Sequence, residues 1–164
     1  VLAETLEVLD DTSKLGFNLG AGSTALHPRL INLDVFPGKN IHIVNEGTDL
    51  PFCDASLDVV ISQEAIEHIA EPFAVIDEVQ RVLKPGGVFF CQIPFIIGFH
   101  PGPCDYWRFS RQAFEHIFNK PGWKLEHLER TLGHGSGFFR IFVEFMAVTF
   151  SAIHPKLYIP VKGM

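Results

Sequence analysis

Four places in this chain put residues with binding chemistry directly after a short apolar run. Gly20-Ala21-Gly22 follows residues 15–19, and Asp34 closes Leu30-Ile31-Asn32-Leu33. Glu46-Gly47 and Asp49-Leu50-Pro51-Phe52 follow Ile41-His42-Ile43-Val44, and Ser62-Gln63 end the run that begins at Leu57. A turn of small residues lets backbone approach a ligand closely and offers amide N–H groups. The Asp34 carboxylate can accept two hydrogen bonds from vicinal hydroxyls such as those of a ribose. At 46–52 an acid and a backbone N–H beside an apolar wall suit an adenine edge. Each has a bland reading by itself: a tight turn, a solvated strand end, a surface acid. Four in order, each at the end of an apolar run, are harder to dismiss.

The elements that must position them follow from hydrophobic period. Leu2, Leu6 and Leu9, with acids between them, predict an amphipathic helix of about three turns. Residues 15–19, 30–34, 41–44, 57–62 and 88–93 read as five buried strands, and apolar runs of this kind suit a parallel sheet covered on both faces. A helix opens at Glu71-Pro72, carries Phe73, Ile76, Val79 and Leu83 on one face, and stops at Lys84-Pro85-Gly86-Gly87. Ser110 caps a second helix bearing Phe114, Ile117 and Phe118, which ends at 119–122. Residues 123–132 (WKLEHLERTL) alternate apolar and polar, as a half-exposed edge strand does. Residues 137–153 read as an apolar helix in which Arg140 and Glu144 have the spacing of an ion pair. It is short for a membrane span, which needs about 20 predominantly apolar residues. The fold class expected is α/β: an open, mostly parallel Rossmann-like sheet with helices on both faces, shortened between its first two strands.

Length and composition agree with one domain, residues 1–164, in which 15–95 form the ligand-binding core and 96–164 the region that meets an acceptor or partner. The 164 residues are 47% hydrophobic and 20% charged, which excludes disorder and a disulfide miniprotein. A net charge of −6 argues against a nucleic-acid backbone as partner. The charge is uneven: residues 1–99 hold 14 acids and 5 bases, whereas 100–164 hold 5 acids and 8 bases with both Trp and both Tyr. Cys53, Cys91 and Cys104 are too irregularly spaced for a disulfide framework, and His100-x3-Cys104 lacks the second pair a metal site needs. No metal is expected. A reducing, cytoplasmic setting is, since no signal peptide is visible from Val1 onward. P-loop, zincin and nucleophile-elbow motifs are missing, so NTPase and hydrolase readings have no support.

The run Leu50-Pro51-Phe52-Cys53-Asp54-Ala55-Ser56-Leu57-Asp58-Val59-Val60, then Ala65-Ile66-Glu67-His68-Ile69, then Arg81-Val82-Leu83-Lys84-Pro85-Gly86-Gly87, resembles class I S-adenosylmethionine-dependent methyltransferases of the type 11 kind. With the glycine turn and Asp34 the resemblance covers about residues 15–95. The stretch His100-Pro101-Gly102-Pro103-Cys104-Asp105-Tyr106-Trp107-Arg108-Phe109 further resembles a bacterial subgroup associated with surface-glycan synthesis. The resemblance implies S-adenosylmethionine as cofactor. Gly20, Ala21 and Gly22 would line its methionine part, Asp34 would hold the ribose, Glu46 and Gly47 would meet the adenine, and Ser62-Gln63 would close the site beneath the sulfonium. Two positions depart from the pattern: Asn18 stands where an acid opens the glycine motif, and Thr24 where a third glycine is usual. Only 12 positions separate Gly22 from Asp34, too few for a full crossover helix, which argues against a dinucleotide fold. It also leaves a sheet face for the N-terminal helix or a partner to cover.

Methyl transfer is an in-line displacement whose rate can come from placement and exclusion of water, so a dedicated base is not compulsory. For a hydroxyl acceptor, His100 or Asp105 could take the proton. Tyr106, Trp107 and Arg108 could give a small or glycan-linked acceptor an aromatic platform and an anion contact. The bland alternative packs these rings on the core and pairs Asp105 with Arg108. His68 reads as a satisfied structural residue rather than a base. A different class of function stays open: a degenerate methyltransferase fold acting as a binding or scaffold module, with 137–153 making a homo-oligomer or membrane-surface contact. A nucleotide-sugar or NAD binder is a third reading.

Overall fold

A computed structural model describes residues 1–130 and 133–153. The described chain gathers into two compact units. The first takes in Val1–Pro94 and Pro101–Leu125, the second Phe95–His100 and the chain from Glu126 onward.

The first unit is built on a five-stranded sheet in the order β3-β2-β1-β4-β5, with β1 Gly16–Leu19, β2 Leu30–Asp34, β3 Ile43–Val44, β4 Leu57–Gln63 and β5 Leu83–Gln92. Every pairing is parallel. All strand carboxyl ends therefore lie along one edge, which is what the strand-end residues require. Side chains alternate between faces along each strand. On one face Phe17, Leu19, Leu33 and Val60 pack with Val75, Ile76, Val79 and Val82 of α2 (Pro72–Val82) and with Ile117 and Phe118 of α3 (Arg111–Phe118). On the other, Leu30, Val59 and Ile61 pack with Leu9, Leu2, Leu6 and Val8 from α1 (Leu2–Glu7) and the 3-10 turn Val8–Asp10. The N-terminal helix thus covers the face left bare by the short crossovers. Full burial of Leu9 alone contributes about 2 kcal/mol.

Ser110 caps α3 as its sequence predicts, its hydroxyl accepting from Ala113 N–H at 3.2 Å. Other expectations are corrected. β5 begins at Leu83 rather than 88: a register irregularity opposite Leu57–Val59 and a left-handed Gly86 (φ +80°) carry Lys84-Pro85-Gly86-Gly87 into an edge strand. Phe73 is 46% exposed rather than core, because its ring meets Trp107 edge-on at 6.1 Å. The alternating run 123–132 is no strand over its described part, 123–130. Trp123 is drawn onto Phe89 and Phe118, with ring centroids 5.8 and 5.3 Å apart, and alternation alone gives the following residues no partner to pair with. Residues 131 and 132 lie outside the described residues.

In the second unit α4 (His134–Ile153) forms where an apolar helix is expected. It passes so close to Ile96 that a Cβ on Gly137 would lie 2.6 Å from that side chain. The expected Arg140–Glu144 pair does not form: the Glu144 carboxylate lies against Gly98, 2.1 Å from where a Cβ there would be. Phe138, Phe139, Phe142 and Phe145 of α4 are exposed. No helix among the described residues is long and apolar enough to cross a membrane.

Candidate functional site

The carboxyl ends of β1, β2 and β4 assemble most of the predicted binding residues. Gly20 turns the chain at φ +68°, and a Cβ there would lie 2.2 Å from the Cβ of Ala65, so only glycine permits this approach of the β1 turn to the segment after β4. The amides of Gly20 and Ala21 both donate to the Leu33 carbonyl, at 2.9 and 3.0 Å. Gly22 N–H donates to Asp34 Oδ2 at 2.8 Å, and Phe36 N–H to Asp34 Oδ1 at 3.1 Å. These amides, read from sequence as open to a ligand, instead hold the glycine turn onto β2 and Asp34. What stays available is carbonyl and carboxylate. Asp34 has no cationic partner among the described residues, each of its oxygens retains a lone pair, and a Cβ on Gly22 would meet nothing within 4 Å. Open space at the exposed Gly22 therefore lies beside a half-buried acid.

Ser62, one residue before the end of β4, lies between Leu19 of β1 and Cys91 of β5. It is 1% exposed, and its hydroxyl has no hydrogen-bond partner among the described residues. A buried, orphaned hydroxyl costs about 1–3 kcal/mol unless something accepts or donates to it, so Ser62 leaves hydrogen-bonding capacity unused near the carboxyl end of β4. Gln63 bridges to Gln92 at 3.3 Å across β4 and β5. Asn18, the departure from the family's acid, is buried and donates to Asn32 at 3.5 Å, serving the β1–β2 junction.

The adenine-side candidates are held by residues that the sequence reading did not single out. Asn45 accepts from Gly47 N–H at 2.6 Å and donates to the Asp49 carbonyl at 3.0 Å, shaping the turn that leaves Glu46 exposed and Gly47 buried. Arg81 donates to Glu78, to the carbonyls of Leu50 and Phe52, and to Asp54, at 2.6–3.0 Å. Its guanidinium, then the Leu50 N–H, hold the Glu78 carboxyl below the usual carboxylate range against the opposing effect of burial. The loop 50–54 is thus clamped to α2. Arg81 lies within the RVLKPGG series, which was the signal available for it.

The proposed acceptor residues behave differently. Arg108 makes two bonds to Asp105, at 2.5 and 2.8 Å, and donates to the Trp107 carbonyl at 2.7 Å. That is the structural pairing weighed as an alternative, and it commits the guanidinium to Asp105. Trp107 donates its indole N–H to the Ile69 carbonyl at 2.9 Å and stacks on Phe109. Tyr106 is exposed, its hydroxyl pKa raised by a hydrogen bond with the Cys104 side chain. His100 belongs to the second unit, where its Nδ1 lies 3.0 Å from the Gly98 carbonyl, so the two candidate bases sit in separate units. His68 meets the Cys104 carbonyl, the satisfied state its sequence context predicts.

A hollow of about 260 Å³ lies at the amino ends of β4 and β5, lined by Lys14, Asp58, Lys84 and the glycines after it. It sits at the opposite end of the sheet from the glycine turn, and its polar groups bind one another.

A parallel sheet with a glycine turn after β1 and an acid after β2 defines the nucleotide-cofactor class of α/β folds. Residues 19–91 match the methyltransferase domain family. A probable S-adenosylmethionine-dependent methyltransferase of Mycolicibacterium smegmatis is 35% identical over 97 residues, covering 54% of this chain and 37% of the relative. The dimethylglycine N-methyltransferase of Parasynechococcus marenigrum is 40% identical over 73 residues, 44% of this chain and 26% of the relative. The chain spans well under half the length of these curated relatives. The YcgJ protein of Bacillus subtilis superposes with a TM-score of 0.53 at 19% identity, over 71% of this chain and 67% of that one, and shows the shared fold. Over residues 19–91, then, the chain is similar to methyltransferase domains, among them a probable S-adenosylmethionine-dependent one.

Proposed function

We propose that this protein transfers a methyl group from S-adenosylmethionine to a small or glycan-linked acceptor. The observation that carries the reading is the pairing of Asp34, a half-buried acid without a cationic partner among the described residues, with the glycine turn and the Ser62 hydroxyl, likewise unpartnered among them, along the same sheet edge. Asp34 accepts the ribose hydroxyls, Glu46 and Gly47 border the adenine, Gly20, Ala21 and Gly22 line the methionine part, and Ser62 and Gln63 close the floor. S-adenosylmethionine, when bound, supplies a methyl group on a positively charged sulfur that is already a good leaving group. The chain's contribution is to place the two reactants in line and keep water out.

Tyr106 and Trp107 offer the acceptor a ring surface. A proton leaving a hydroxyl acceptor goes to His100 or to Asp105, whose carboxylate Arg108 holds in place. The dimethylglycine N-methyltransferase among the relatives supports a small-molecule acceptor. The free thiols Cys53, Cys91 and Cys104 support a cytoplasmic setting.

Calorimetric titration with S-adenosylhomocysteine tests the cofactor half. Binding is expected, and Asp34→Ala should weaken it by about 1–3 kcal/mol because the ribose hydroxyls lose their acceptor. No binding by folded protein at millimolar ligand overturns the reading. A second reading, a scaffold module that self-associates or rests on a membrane surface, is favoured by the exposed phenylalanines of α4. Cofactor binding without transfer to a broad acceptor panel would support it, and turnover would exclude it.

A further inference from the structure

Four hydrogen bonds fasten residues 104–107 to the turn that follows β4. The Glu67 carbonyl accepts from both Tyr106 N–H and Trp107 N–H, at 2.9 and 3.1 Å. The Ile69 carbonyl accepts the Trp107 indole N–H at 2.9 Å, and the Cys104 carbonyl meets His68 Nδ1. A carbonyl only accepts, so Nδ1 carries the hydrogen, which leaves Nε2 facing Glu67 Oε1 at 3.7 Å. The turn is itself rigid: residues 66–68 are one turn of 3-10 helix, Ile66 and Glu67 are fully buried, and β4 leads into it through Ser62 and Gln63.

Beyond these bonds, the segment is held by the Trp107 ring, which lies against Phe109 and Phe73. Residues 101–109 form no regular structure, and Tyr106 and Trp107 are 54% and 36% exposed. The Trp107 ring is held by its neighbours as well as by its indole bond, whereas the backbone of 104–107 is placed by directional hydrogen bonds. Among the four bonds above, His68 contributes the one made by a side chain of the turn.

We propose that Glu67-His68-Ile69 is the mount that sets where residues 104–107 stand at the carboxyl end of β4, with His68 as a positioning residue for the acceptor-facing segment. His68 acts through its contact with the Cys104 carbonyl. The assignment rests on the reading that residues 105–108 handle the acceptor, but the mount itself is tested without any acceptor.

Amide hydrogen exchange of the full chain, followed residue by residue in NMR spectra, makes the test. In His68→Ala the Tyr106 and Trp107 amides should exchange at least tenfold faster while those of β4 stay within twofold of the unsubstituted protein. His68→Asn keeps an N–H on the same branch of the side chain and should restore most of the protection. Unchanged exchange at 106 and 107, equal acceleration in β4, failure of Asn to restore protection, or a His68→Ala protein that does not fold would each overturn the proposal. Titration with S-adenosylhomocysteine in parallel separates the two ideas: affinity within twofold in both variants is expected. A protein that binds no S-adenosylhomocysteine yet shows the local exchange pattern would retain the mount and lose the enzyme reading.

Discussion

Two aspartates of one sheet stand in opposite circumstances. At the amino ends of the strands, Asp58 is 8% exposed and accepts from Lys84 at 2.7 Å, Lys14 at 3.1 Å and the Leu15 amide at 3.0 Å. Burial alone would raise its pKa; the Lys84 bond, the Leu15 amide and Lys14 outweigh that and bring it to about 2. At the carboxyl ends, Asp34 accepts two backbone amides and has no cation beside it among the described residues. The first carboxylate is saturated by its own chain and ties β1, β4 and β5 together where they begin. The second is held in place yet left with acceptor capacity. An acid at a strand terminus is a candidate binding residue only if the fold leaves it unsaturated, and that is decided by which cations the neighbouring strands bring.

The contrast can be broken at three points. The largest effect is expected at Gly20, where the carboxyl-end turn touches the segment after β4. Gly20→Val adds a Cβ 2.2 Å from Ala65 at a positive φ, and should cost about 3 kcal/mol or more in urea denaturation. A loss below 1 kcal/mol would mean that the turn is not fixed against Ala65. Next, Asp58 has a folded pKa below its ordinary 3.8, so the stability it contributes is present above about pH 4 and is lost as pH falls toward 2. The shift corresponds to roughly 2 kcal/mol. Asp58→Asn should be less stable by that order at pH 7 and should flatten the acid limb of a stability-against-pH curve. A variant with the same acid limb as the parent would remove Asp58 from the account. Smallest is Asp34→Asn, whose amide oxygen still accepts one backbone N–H: a stability loss under about 1 kcal/mol is expected, against a clear loss of S-adenosylhomocysteine affinity. The reverse pattern, stability lost and affinity kept, would show the two ends of the sheet to be alike.

Much of the sheet was legible because its strands are buried on both faces and so carry uninterrupted apolar runs, as Leu57–Ile61 does. The strand ends could be found from the same runs, and Gly20, Asp34 and Ser62 with them. Arg81 and Asn45 were harder to see. Their work is to hold backbone carbonyls and amides of other segments, and no residue type announces which distant carbonyl it will meet. The edge strand expected at 123–132 shows the converse limit, since an alternating pattern describes a side-chain preference without providing a neighbour for the backbone.

The sequence by itself determined the order of elements, the burial of the central strands and the residue types available at their ends, because hydrophobic period and small-residue turns act locally. Only the tertiary structure decided which of those residues remain free to bind. It tied the Gly20, Ala21 and Gly22 amides to Leu33 and Asp34, committed Arg108 to Asp105, and left Ser62 and Asp34 with unused capacity. Hydrogen-bond saturation is a property of contacts made across the chain, and those exist only once the strands are side by side.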